Sequence, residues 1–219
     1  MDGDPRKKYA EHAARHLRAW FVDGATRMNP QLEYAQAIHG RSKGRGTGII
    51  DTIHLVEVAR AAPLAAESGA LRSEEFAPVR KWFADYLRWM TTSANGVEER
   101  DARNNHGTCF AMQVAAFARL TGQRDLIDDA ARRFETGDGR GIRRAIEFLV
   151  PGIADKKRWP HPPDVMYSEH WPMRQQALLF GGLACGRQEY LDLWKTLPAS
   201  SQVAEVVRNY FIRQPALWT

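Results

Sequence analysis

The chain has 219 residues, 44% of them hydrophobic, which is enough for one domain (1–219) with a sizeable core. Its formal charge of +5 comes from 31 Lys+Arg against 26 Asp+Glu and contains no polybasic run. That argues against a nucleic-acid arm but leaves a mild long-range attraction for polyanions. Cys109 and Cys185 lack CxxC spacing, which speaks against a thiolate zinc site, and no apolar run is long enough to cross a bilayer.

Helical periodicity starts at once. Tyr9, Ala13, Leu17, Trp20 and Phe21 recur at three- and four-residue intervals and predict one apolar stripe. "VDGATRMNP" then breaks the pattern with Gly24 and Pro30. Residues 29–51, "NPQLEYAQAIHGRSKGRGTGIID", alternate Gly40, Gly44, Gly46 and Gly48 with Arg41, Lys43 and Arg45. Glycine permits close backbone approach, so this stretch reads either as a solvated loop or as a cradle for an anion. It is not a P-loop, because the GK[ST] ending is absent. His54 follows Ile53 in an apolar-rich helical stretch and reads as a core histidine satisfied by its neighbours.

Over 74–92, Phe76, Val79, Phe83, Leu87 and Met90 fall on one helical face, with Ser73 placed to cap it. "RNNHGTCF", residues 103–110, puts Asn104, Asn105 and His106 side by side before a glycine. Asparagine prefers caps and turns, so one reading is a capped helix start. The other is a polar site, in which amide donors and a titratable base converge on an anionic substrate. Phe110, Val114 and Phe117 carry the helix on to Gly122. Further helices are expected near 141–150, 172–185 and 188–197. A last stripe comprises Val203, Val206, Val207, Tyr210 and Phe211. Between them, "DKKRWPHPPDVMYSEHWPMRQ" (155–175) carries four prolines and two tryptophans, as a rigid loop or a sugar-stacking wall. Strand-like alternation is sparse, so the chain reads as all-α, with antiparallel helices joined by polar loops.

Other chemistry is thinner. His12 and His16 stand at i, i+4, a spacing that can hold zinc, but no HExxH glutamate or third ligand accompanies them, so they read as a surface pair. Cys109 lies near His106 and reads as a buried apolar thiol rather than a nucleophile.

Five blocks together resemble a known family. They are "MNPQLEYAQAIHGRSKGRGTGIIDT", "NNHGTCFAMQVAAFARLTG", "FLVPGIADKKRWPHPPDVMY", "WPMRQQALLFGGLA" and "RQPALW". In this order they resemble the bacterial alginate lyases, helical polysaccharide lyases. The resemblance implies an α/α toroid around a cleft for a uronate chain, and β-elimination of 4-linked uronates such as alginate or polymannuronate. It implies Asn105 as the amide that binds the uronate carboxylate, with His106 as carboxylate partner or base and Asn104 in support. It implies no metal or cofactor, an anionic polysaccharide as partner, no nucleic acid, no membrane, and a periplasmic or secreted location. The chain as written lacks a signal-peptide h-region and reads as cytoplasmic. Tyr34, Arg41, Lys43, Arg45, Trp159, Trp171 and Arg174 are the remaining substrate-contact candidates.

The departures from the family pattern carry expectations too. Family members hold an "ELARTKPYGYS"-like block, with an arginine and the tyrosine that serves as catalytic acid, between the helix after His106 and "GDGRGIRRAIEFL". Here the chain runs from "DDAARRF" straight to "ETGDGRG". The front is also short, so the chain reads as an N-terminally shortened, internally deleted member and an incomplete toroid. Tyr167 is a candidate replacement acid. Weak or absent lyase activity is expected, and the alternatives are a non-catalytic carbohydrate-binding remnant or a helical interaction scaffold.

Overall fold

A computed structural model describes residues 5–136, 142–160, 174, 178–179, 182 and 186–198. Among them the structure is helical, with no strand beyond an isolated bridge between Ile38 and Ser42, as the all-α reading expects. Two compact units divide the chain, Met1–Ala131 and Arg132–Thr219.

In the first unit, α1 (Pro5–Leu17) runs into a π-helical turn, Arg18–Val22. A 3-10 segment (Gly46–Thr52) precedes α2 (Leu55–Glu67), α3 (Ser73–Thr92), α4 (Ala94–Arg100) and α5 (Asn105–Thr121), and the unit boundary after Ala131 falls within α6 (Arg124–Thr136). The centre is α5, packed on α2 and α3. Phe83, Tyr86, Leu87 and Met90 of α3 and Val114 and Phe117 of α5 are all buried, and Phe83 and Tyr86 both meet the Phe117 ring. The rings of Phe83 and Phe117 lie 5.1 Å apart. Gly122 ends α5 at φ 78°, a left-handed cap where a side chain would be strained.

Two expectations need correction here. Ser73 begins α3 but does not cap it; Glu75 does, with Oε2 accepting the Arg72 backbone N–H at 2.9 Å. The α1 stripe is also different. Ala14, Leu17 and Phe21 are buried, whereas Tyr9 and Trp20 are 74% and 52% exposed. The π turn widens the helix after Leu17, so Leu17 and Phe21 align while Trp20 rotates outward.

The second unit contains α7 (Ile142–Ala154) and α8 (Gln188–Thr196), near the helices expected at 141–150 and 188–197. Ile146, Ile153, Leu178, Tyr190 and Leu197 form its core. Most of the helix expected over 172–185, and all of the 203–211 stripe, lie outside the described residues.

Candidate functional site

Short local signals set the position of the "RNNH" motif. Ser93 Oγ accepts the Gly96 N–H at 3.0 Å and starts α4 directly after α3. Gly96 allows that close turn, because a Cβ there would lie 1.7 Å from the Met90 carbonyl oxygen. α4 packs against the 3-10 segment of the glycine-rich stretch. The Gly46 N–H donates to Glu98 at 3.2 Å, and a Cβ on Gly46 would lie 2.5 Å from the Asn95 carbonyl. Two residues beyond α4, the Ala102 carbonyl leaves no room for a Cβ on Gly107, which would approach to 2.3 Å. The glycine after His106 is therefore what lets α5 begin against the end of α4.

The two asparagines have different surroundings. Asn104 is the cap, its Oδ1 accepting the His106 backbone N–H at 3.1 Å. Asn105, the first residue of α5, is exposed, and its amide hydrogen-bonds to no described residue. His106 is not buried among apolar side chains with its nitrogens on backbone. Its Nδ1 lies 2.8 and 3.1 Å from the two carboxylate oxygens of Glu99, and its side chain keeps 21% exposure. No described residue hydrogen-bonds to its Nε2.

Glu99 is the partner that sequence reading missed. It is fully buried on α4, seven residues from His106 across the break between helices. Burial pushes its carboxyl above the ordinary range; the bond to His106 pulls it back, while the acidic neighbours Glu98 and Asp51 push it further up. Cys109, half-buried one turn into α5, has its thiol pushed up by burial and by the Glu99 charge, which suits an inert thiol.

The glycine-rich stretch reaches the same place through Gln36. Arg45 Nε donates to Gln36 Oε1 at 2.9 Å, and Gln36 Nε2 donates to Asp51 at 3.2 Å. Asp51 in turn acts electrostatically on Glu99. Gln36 holds φ 55°, rare for a residue with a Cβ, and nothing in the sequence marks it. Arg41 and Lys43 are exposed, as is Tyr34 at 68%. Arg45 is thus linked through Gln36 to Asp51, whose charge acts on Glu99, the partner of His106.

In the second unit, Trp159 is half-buried edge-on against Phe148, with ring centroids 5.5 Å apart. Arg174 donates from Nε to the Leu197 carbonyl and from Nη2 to the Lys195 carbonyl, both at 3.1 Å, and lies over the Trp194 ring. Tyr167 and Trp171 lie outside the described residues.

The remaining candidates separate from this site. His12 and His16 are an exposed pair, Nε2 to Nε2 at 3.1 Å, and Arg15 contacts His12. Among the described residues no three His, Cys, Asp or Glu side chains gather as metal ligands. His54 is exposed at the turn before α2, so the core-histidine expectation fails there. A cavity of about 360 Å³ between α1 and α2 is lined by His16, Leu17, Trp20, Leu55 and Ala62; its walls are otherwise apolar, and none of the substrate-contact or catalytic candidates lines it.

The family model described as alginate lyase matches residues 4–138, a span that includes the glycine-rich stretch, Glu99 and the Asn104–His106 motif. The chain belongs to the alginate lyase family. A crystal structure of an alginate lyase from Bacteroides ovatus is similar to it at 25% identity and a TM-score of 0.75, covering 91% of this chain and 67% of that one. The likeness fits the α/α toroid expected from the family blocks. No curated protein matches the chain. Family membership makes a polysaccharide the substrate class and makes the chain lyase-like. No helix among the described residues is long and apolar enough to cross a membrane.

Proposed function

We propose that this chain binds a polyuronate such as alginate or polymannuronate at the start of α5, in the manner of a polysaccharide lyase, and cleaves it weakly or not at all. The observation that carries the reading is the pairing of an exposed Asn105 amide with His106, whose Nδ1 side is held by Glu99 and whose Nε2 is bonded to no described residue.

The chemistry is β-elimination. A base takes the C5 proton, a double bond forms between C4 and C5, the C4–O4 bond breaks, and an acid protonates the leaving O4. Charge develops on the C6 carboxylate during proton removal. The Asn105 amide is the neutral donor for that carboxylate, and the positive end of the 17-residue α5 helix adds to it. His106 is the carboxylate partner or the base, and Asn104 fixes the turn that presents both. Arg41, Lys43 and Arg45 supply cations, and Tyr34 an exposed ring for a sugar face. In the second unit Trp159 and Trp171 remain stacking candidates, whereas the Arg174 guanidinium serves the end of α8. The two units are taken as parts of one alginate-lyase-like domain, periplasmic or secreted as the family resemblance implies.

Weak turnover follows from the missing acid. The family match stops at residue 138, inside the "ETGDGRG" stretch where the arginine–tyrosine block is absent. Loss of general acid–base assistance typically costs about 100- to 10,000-fold. The same observation favours a second reading, carbohydrate binding without turnover. The test is product absorbance in the ultraviolet from polymannuronate, polyguluronate and glucuronan, with wild type beside His106→Ala and Tyr167→Phe. The expected result is a trace of product that His106→Ala removes. Binding of oligomannuronate with no product at all would establish the second reading. Vigorous turnover lost in Tyr167→Phe would make Tyr167 the replacement acid, and vigorous turnover untouched by either change would place the site elsewhere.

A further inference from the structure

We propose that Glu99 is the positioning residue of His106: its buried carboxylate accepts the Nδ1 proton of the imidazole and leaves Nε2 as the nitrogen that meets substrate. What Nε2 then does rests on the function proposed above; the choice of nitrogen does not.

The geometry is specific. Both carboxylate oxygens lie within hydrogen-bond distance of one ring nitrogen, at 2.8 and 3.1 Å. The carboxylate is fully buried, while the ring reaches the surface at 21% exposure. A carboxylate carried this deep is costly unless it is paired and hydrogen-bonded. The titratable groups acting on Glu99 come from three elements: His106 of α5, Glu98 of its own α4, and Asp51 of the 3-10 segment. Its charge is felt by Tyr86 of α3 and Cys109 of α5. Among these groups only His106 can offset the charge, since Glu98 and Asp51 are acidic and the burial of Tyr86 and Cys109 favours their neutral forms. In neutral imidazole one nitrogen donates and the other accepts, and the partner of one decides the role of the other. A carboxylate on Nδ1 therefore makes Nε2 an acceptor in the neutral ring and a second donor once the ring is charged. The first suits removal of a C5 proton and the second suits a uronate carboxylate, so one buried group serves both roles considered for His106.

The test reads the ring directly. Protein labelled with [15N]histidine gives two-bond nitrogen–proton correlations that distinguish the tautomers, and His106→Ala identifies the His106 signals among the seven histidines. Wild-type His106, observed neutral, is expected with its proton on Nδ1. Glu99→Gln preserves the volume but offers both a donor and an acceptor, so a mixture of tautomers or a switch to Nε2–H is expected, with far-UV circular dichroism unchanged. Glu99→Asp, which keeps the charge on a shorter arm, is expected to restore the Nδ1 proton in part. A wild-type ring with its proton on Nε2 would mean that Glu99 donates rather than accepts, and overturns the proposal whether or not any variant folds. An unchanged tautomer in a folded Glu99→Gln protein overturns it as well. If wild-type His106 carries its proton on Nδ1 while the protein neither binds nor cleaves oligomannuronate, the positioning role stands and the lyase reading falls.

Discussion

Glu75 and Glu99 are both buried glutamates of the first unit, each facing a basic group, and their surroundings push them in opposite directions. Glu75 receives Arg18 Nε at 2.7 Å, Arg18 Nη2 at 3.0 Å, Arg72 Nη2 at 2.9 Å and the Arg72 backbone N–H at 2.9 Å. Those donors, the Arg18 guanidinium first, hold its carboxyl at about 2. Glu99 has one titratable imidazole and two acidic neighbours, and burial raises it. Guanidinium is charged at every relevant pH, whereas imidazole is charged only on the acid side of neutrality. The first cluster holds the π-helical turn after α1 to the start of α3. The second joins one imidazole to a buried carboxylate with two acidic neighbours, and it contains the residue proposed above to meet substrate.

The largest effect should appear where the second cluster meets solvent. Asn105→Ala removes the donor proposed for the developing charge, and is expected to cost about 100- to 1,000-fold in the trace turnover of polymannuronate. Because Asn105 is exposed and Asn104 does the capping, its urea midpoint should match wild type. A lowered midpoint with unchanged turnover would move Asn105 to the structural side of the comparison.

Gly107→Ala tests how the second cluster is assembled. The new Cβ would lie 2.3 Å from the Ala102 carbonyl oxygen, a backbone atom with little freedom to yield. A loss of about 1–3 kcal/mol in urea unfolding is expected, typical of overpacking. Oligomannuronate affinity should fall with it, because the displaced turn carries His106 away from Glu99.

The unequal legibility of the two clusters has physical causes. α3 and α5 are long, and their buried residues recur every three or four positions, so Val79, Phe83, Leu87, Val114 and Phe117 could be placed from spacing alone. α4 is seven residues, "ANGVEER", with no apolar stripe; it exists because Ser93 caps it and Gly96 fits under Met90. Glu99 sits seven residues before His106, across a helix break, and no periodicity links positions on two different helices. Arg18 and Glu75 are 57 residues apart, equally beyond local reading. The "NNH" motif was legible as a choice between cap and site; the geometry makes Asn104 the cap and shows Asn105 exposed beside it.

A pH series separates the two glutamates by sign rather than by size. The Glu75 contribution is present above the ordinary carboxyl value of 4.5 and is lost as pH falls through about 2. The raised Glu99 works the other way: its contribution is complete below 4.5 and is lost as pH rises through its raised value. Glu75→Gln should therefore lower the urea midpoint at pH 7 and converge on wild type in strong acid. Glu99→Gln should lower it less at pH 7, or raise it. Urea unfolding from pH 2 to 8 checks both, and a deeper loss at pH 7 for Glu99→Gln than for Glu75→Gln would make Glu99 the structural residue of the pair.

The smallest expected effect is at Asn104. Its Oδ1 satisfies one otherwise unpaired N–H of the first turn of α5, and that N–H belongs to His106 itself. Asn104→Ala should cost about 1 kcal/mol, the usual value of a lost cap. Asn104→Asp should restore it, since aspartate caps as well and adds a charge favoured by the helix dipole. The two variants part on function. Aspartate places a negative charge one residue from the Asn105 amide, where a uronate carboxylate would dock, so Asn104→Asp should recover the urea midpoint and still weaken oligomannuronate binding, more at low salt than at high salt. If Asn104→Asp restores both stability and binding, the carboxylate docks elsewhere on α5, and Asn104 belongs with Arg18 and Glu75 among the residues that only hold the fold.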